Sequence, residues 1–225
     1  KALGVEPSGR RRIGFDIADS GADKCATVEA YGSLAFKVDE WKAGEDELLK
    51  SASRVHSQAR ERGAEIDYDS IGVGAFAGGH FKTLNVENKS RIAYHKFNAG
   101  GEVLHKDKRM DPKNPLSQTN GDYYANLKAQ AWTEVSRRLR ITHNAVTKGE
   151  RYDPDDIISI CSECEHLDRL VDELATPRRD FDNRGKMKVE SKKDLAKRDV
   201  PSPNLADAFI MAFAPREKNY TLANI

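Results

Sequence analysis

RIGFDIADSGADKCATVEAYGSLAFKVDE, residues 12–40, holds three β-rich runs in close succession. Arg12–Ala18 is a short apolar run that ends in small and polar residues. Cys25–Tyr31 and Ser33–Glu40 flank Gly32, so they read as two strands joined by a tight turn. Next, Asp46–Arg62 places Leu48, Leu49, Ala52, Val55 and Ala59 at helical spacing and stops at Gly63. Ile66–Val73 (IDYDSIGV) reads as a fourth strand, entering a turn that contains Gly72, Gly74, Gly78 and Gly79. Arg91–Phe97 is a fifth, with a short helix over Phe81–Val86 between them. Asn98–Asn120, with Pro112, Pro115, Gly100 and Gly101, reads as a long loop. Amphipathic helices follow at Tyr123–Leu139 and Ile157–Leu174. A last, apolar helix runs over Asn204–Ala214, with Ser202 as its N-cap and Pro203 at the first helical position. This order predicts an α/β domain: a central mixed sheet of at least five strands, with an antiparallel hairpin extending a parallel set, flanked by helices. In such a sheet the first and fourth strands are neighbours, and their carboxyl ends form the natural site.

Composition narrows the function. The chain has 225 residues, enough for one globular domain that needs neither disulfides nor a structural metal. No apolar stretch approaches the roughly 18–20 residues of a membrane span, and Lys1–Arg12 is too polar for a signal peptide. Three cysteines, an odd number, suit a reducing compartment, with the cytoplasm as the expectation. Charge is balanced, 37 basic against 36 acidic side chains, which excludes a uniformly basic DNA-coating protein. It is also segregated. Asp153–Glu173 holds eight acids and one base, whereas Arg178–Arg198 holds nine bases and four acids. The basic stretch is either solvated or meets a polyanion.

Three aspartates stand in apolar surroundings: Asp16 in IGFDIA, Asp69 in IDYDSIGVG and Asp207 in NLADAFIMAF. A buried unpaired carboxylate costs several kcal/mol, so each needs a partner. If the last helix packs across the first and fourth strands, the three converge, and a divalent cation removes their repulsion. All-oxygen donors favour Mg²⁺ or Mn²⁺ over zinc. Two such ions could activate a water and stabilise the leaving oxygen of a phosphodiester. Asp19 and Asp23 flank Gly21 and serve either turn formation or metal contact. Cys161 and Cys164 with His166 (CSECEH) lack a second ligand pair at zinc spacing and read as core residues on one helical face. No P-loop motif occurs, and no Ser or Cys has a context that suggests an activated nucleophile.

Taken together, IGFDIADSGADKCATV, YDSIGVGAF and VESKKDLAKRDVPSPNLADAF resemble the C-terminal nuclease domain of the large terminase subunit of tailed bacteriophages, over about Arg12 to Ala214. E-S-K followed by S-P-N-L-A-D-A is the most specific part. Ile17, where many members have Pro, and the extra carboxylate of Asp19 depart from the pattern. The resemblance implies an RNase H-like fold and a metal-dependent endonuclease that cuts concatemeric viral DNA during packaging. It further implies two divalent ions, Mg²⁺ or Mn²⁺, on Asp16, Asp69 and Asp207, with Asp19 a further candidate ligand. Lys186, Lys188, Lys192 and Lys193 would contact DNA phosphates, the loop around Lys106–Lys113 adding to that surface. By the same resemblance the partners are double-stranded DNA, the portal protein, the small terminase subunit and an N-terminal ATPase domain, in the cytoplasm of an infected bacterium. Residues 1–11 would then end an interdomain linker, 12–215 form the nuclease domain and 216–225 a tail. The competing readings are another RNase H-like nuclease, such as a Holliday-junction resolvase, and a non-catalytic module that docks DNA or portal.

Overall fold

In this computed structural model, which describes residues 6–18, 23–44 and 47–216, the opening run forms three strands. These are β1 (Arg11–Asp16), β2 (Cys25–Tyr31) and β3 (Leu34–Trp41), each antiparallel to the next. Helix α1 (Leu48–Arg62) ends where Gly63 takes a left-handed φ of 61°, and β4 (Glu65–Asp69) then runs parallel to β1. A 3₁₀ turn at Gly72–Phe76 leads into α2 (Ala77–Glu87), and β5 (Tyr94–Phe97) pairs in parallel with β4. After the long loop come α3 (Asn120–Tyr123), α4 (Leu127–Lys148), β6 (Ser159–Ile160) and α5 (Leu167–Ala175). A separate hairpin of β7 (Arg179–Phe181) and β8 (Met187–Val189), then α6 (Lys192–Ala196) and α7 (Asn204–Phe213), complete the described chain. The main sheet has six strands in the order β5-β4-β1-β2-β3-β6.

Side chains alternate across a strand, so β1 faces two ways. Ile13 and Phe15 join Ile66 and Tyr68 of β4 in a core closed by Ala52, Val55 and Ala59 of α1 and Phe81 of α2. The opposite face of the sheet, with Val28 and Val38, packs against Trp132 and Val135 of α4, Leu170 of α5 and most of α7. On that face β1 presents Gly14. A Cβ there would collide with the Ala208 carbonyl oxygen and lie 2.6 Å from the Ala212 nitrogen, so bare backbone is what lets α7 lie directly on β1. The helix runs antiparallel to the strand. At its far end Arg12 donates to the carbonyls of Met211 (2.9 Å) and Ala214 (3.0 Å). Its N-terminus therefore reaches the carboxyl end of β1.

Tyr123–Leu139 is divided, Tyr123 closing α3 and α4 starting at Leu127 and running on to Lys148, and three further expectations need correction. Ile157–Leu174 is not one helix: its first part pairs with β3 as the edge strand β6, and α5 begins only at Leu167, after His166 adopts a left-handed φ of 58°. Cys161 and Cys164 consequently lie in the turn between β6 and α5, not on a helical face. The N-cap of α7 is Pro203, with no side-chain cap bond, while the Ser202 hydroxyl donates to Asn204 Oδ1 at 2.7 Å. Asp19, residues 1–5 of the expected linker and the tail beyond 216 lie outside the described residues.

Candidate active site

β1 and β4 pair in register as far as Phe15 opposite Tyr68, so the next residues on the two neighbouring strands are Asp16 and Asp69. Both strands end there. The β4 exit folds back tightly: Ile71 N–H donates to Asp69 Oδ1 at 3.0 Å, and a Cβ on Gly74 would collide with the Asp69 carbonyl oxygen. Asp207 sits in the first turn of α7, which the seating on Gly14 carries to the same strand ends. Three separate elements thus deliver one carboxylate each to a cleft of about 310 Å³. Phe97, Ile210 and Met211 give it apolar walls, and Asn126, Lys128, Ser191 and Lys192 complete its polar lining.

The electrostatics are those of a crowded anionic site. Asp16 is only 2% exposed. Burial, with the neighbouring carboxylates of Asp207 and Asp69 adding to it and Lys192 opposing, pushes its carboxyl up to about 7. Burial also raises Asp69, against the hydrogen bond from Ile71. Two lysines answer this charge. Lys128 of α4 lies 2.9 Å from Asp207 Oδ1, and Lys192 of α6 lies 3.4 Å from both Asp16 Oδ2 and Asp207 Oδ2. Burial works against the Lys192 ammonium, but the two carboxylates outweigh it and hold its pKa above the usual lysine range.

Oxygen donors of this kind suit a hard divalent cation. As the side chains stand, no group of three His, Cys, Asp or Glu residues is gathered at metal-holding spacing among the described residues. The place between Asp16 and Asp207 is taken by the Lys192 ammonium, itself a cation. That side chain is 43% exposed and starts a five-residue helix capped by Ser191, so it lies at the mouth of the cleft and not in the core. With that ammonium moved aside, Asp16 and Asp207 would present the oxygen donors that a hard divalent cation takes.

The other expected residues are distributed around this centre. Of the four lysines read as phosphate contacts, only Lys192 enters the cleft. Lys186 donates to the Gly121 carbonyl, Lys188 pairs with Asp180 at 3.0 Å on the β7–β8 hairpin, and Lys193 is exposed on α6. Cys164 is buried, its thiol pushed up to about 11 chiefly by that burial, which disfavours the thiolate that zinc would need. Sequence reasoning missed Lys128 and Asn126. Asn126 caps α4 by accepting from Ala129 N–H at 2.9 Å, and an Asn two residues before a Lys at a helix start was the available signal.

No protein-family model and no curated protein matches the sequence. Among solved structures, the chain is similar to the nuclease domain of the large terminase subunit gp2 of bacterial virus Sf6, at 29% identity and a TM-score of 0.84 over 96% of this chain and 93% of that one. It is equally similar to a lysine-to-alanine mutant of that domain with manganese and beta-thujaplicinol, at 28% identity and a TM-score of 0.84 over the same shares. A form of the mutant with calcium agrees at 29% identity and a TM-score of 0.83, over 96% of this chain and 92% of that one. The resemblance read from the sequence therefore extends to the structure, and the fold is the RNase H-like fold of terminase nuclease domains.

Proposed function

We propose that the chain is a metal-dependent DNA endonuclease of the terminase type, cutting concatemeric viral DNA during genome packaging. The observation that carries this reading is the convergence of Asp16, Asp69 and Asp207 at the carboxyl ends of two parallel strands. The likeness to the Sf6 domain, solved with manganese or calcium, supports it. Asp16, Asp69 and Asp207 would hold two divalent ions, Mg²⁺ or Mn²⁺, with Asp19 a candidate for a further contact. When bound, such ions act as Lewis acids on a phosphodiester and lower the pKa of an attacking water.

The remaining work falls to the protein. Asp16 offers its carboxylate from a rigid strand, and the Ile71 N–H orients that of Asp69. Lys128 holds Asp207 from the α4 side. Lys192 bridges Asp16 and Asp207, and with a metal ion on those carboxylates its ammonium would be free to neutralise a phosphate oxygen instead. Lys186, Lys188 and Lys193 would add contacts to the DNA backbone, a mode that weakens with salt and ignores sequence. In this reading residues 12–215 are the cutting domain. Its partners in this reading are double-stranded DNA, the portal protein and the small terminase subunit, in the host cytoplasm.

The test is nicking of supercoiled plasmid in Mn²⁺ or Mg²⁺. Asp16→Asn, Asp69→Asn and Asp207→Asn should each abolish nicking while circular dichroism stays native. Equal nicking by all four proteins would remove the proposed metal site.

A further inference from the structure

Helix α7 begins without the usual means of beginning. The first four N–H groups of a helix have no partner within it, and a Ser, Thr, Asp or Asn at the N-cap ordinarily accepts from one of them. Here the N-cap is Pro203, which has no such side chain, and the Ser202 hydroxyl is committed to Asn204 Oδ1. Asn204 N–H finds the Ser202 carbonyl at 3.0 Å, and Asp207 N–H the Pro203 carbonyl at 2.8 Å. The two between them are satisfied from another element altogether. Leu205 and Ala206 N–H both donate to Glu173 Oε2 of α5, at 2.8 and 3.1 Å.

Glu173 is in turn fixed. Its side chain is 12% exposed, and its other oxygen accepts from Arg169 Nε at 2.9 Å. Arg169 also donates to Glu40 of β3, whose same oxygen takes Lys24 at 2.7 Å. A carboxylate held this firmly at the positive end of a helix stabilises the first turn. It also sets the rotation of that turn, because two successive N–H vectors are pinned to one oxygen. The next residue is Asp207.

We propose that Glu173 is a positioning residue for Asp207: as a cap borrowed from α5, it fixes the turn that aims this carboxylate into the cleft. The inference rests on the reading of Asp207 as a metal ligand. Partners that orient ligands in this way commonly matter at about 10- to 100-fold in metal affinity.

The experiment is Mn²⁺ binding measured by titration calorimetry, without substrate, on the full chain. Glu173→Ala should weaken binding about tenfold. Glu173→Gln, which keeps a carbonyl oxygen able to accept both N–H groups, should recover to within about threefold of wild type. Val55→Ala, a cavity in the core on the far side of the sheet, serves as the control and should lower the melting temperature without changing Mn²⁺ affinity. Unchanged binding in Glu173→Ala overturns the proposal. So does a loss in Val55→Ala as large as in Glu173→Ala, since general loosening would then suffice. Equal loss in the Ala and Gln variants would make charge, not capping, the operative property and also overturn it. If Glu173→Ala does not fold, Glu173→Asp, too short to reach both N–H groups, takes its place with the same readings. Asp207→Asn is measured alongside: should it bind Mn²⁺ like wild type, the metal-site reading itself fails and this proposal goes with it.

Discussion

Replacing Lys192 with Met removes the ammonium between Asp16 and Asp207 while keeping most of the aliphatic stem. At 3.4 Å and an effective dielectric of 20, each contact is worth roughly 5 kcal/mol in isolation. The side chain is 43% exposed, and solvent screening brings the net contribution of the pair down to about 2 kcal/mol. Without metal, the mutant should therefore melt about 4–8 °C below wild type. With metal the order reverses in affinity. An incoming cation must displace the wild-type ammonium, and about 2 kcal/mol of competition corresponds to roughly 30-fold weaker apparent binding. Lys192→Met should thus bind Mn²⁺ about 30-fold more tightly than wild type. Thermal melts in EDTA at about pH 8, where Asp16 is ionised, followed by Mn²⁺ titration of both proteins, measure the two effects together. If the mutant is as stable as wild type in EDTA and titrates at the same Mn²⁺ concentration, Lys192 is not the internal counter-ion of this site.

Two further outcomes follow from the same geometry. The folded-state carboxyl of Asp16, pushed up to about 7 from 3.8, retains a proton that the unfolded chain has released, so its contribution to stability is complete below about pH 4 and is lost as pH rises through about 7. Metal-free wild type should accordingly lose stability in denaturant melts between about pH 4 and pH 7 relative to Asp16→Asn, and parallel curves would contradict the shift. Gly14→Ala forces a Cβ against the Ala208 carbonyl and the Ala212 nitrogen, which should cost about 3 kcal/mol and lower the melting temperature by about 6–12 °C. An unchanged melting temperature would mean that α7 is not seated on β1.

What could be read from the sequence divides along physical lines. The β1–β2–β3 run and the adjacency of β1 and β4 were legible because alternation, tight turns and the rules of strand connection are local or topological. Asp16, Asp69 and Asp207 were legible because a carboxylate among apolar residues needs a reason. β6 was not, since two residues carry no period, and Ile157, Ile158 and Ile160 merge by spacing with the helix that follows. The full length of α4 was under-read at Leu139, although Gly149, a left-handed C-cap with φ of 68°, marked its end. In the sequence Lys192 is one base among the nine of Arg178–Arg198, with nothing to set it apart. Only the docking of the β7–β8 hairpin and α6 beside α7 brings it to the carboxylates, and no local pattern encodes that. Asp67 shows the converse. It lies in the same strand as Asp69, but Arg12 and Arg216 neutralise it, so it holds structure instead of lining the cleft.

The seating of α7 on β1 also bears on when activity can arise. Asp16 lies on the first strand and Asp207 on the last described helix, so the site exists only after one of the longest-range contacts in the chain has closed. Contacts of such separation form late, because loop closure must be achieved before they give any return. During synthesis the hairpin, α1 and β4 can assemble while α7 is still inside the ribosome, exposing the bare Gly14 track but no complete acid triad. If the three carboxylates act as proposed, hydrolytic competence appears at a single step, when the helix drops onto its track, and partly made chains lack the assembled site.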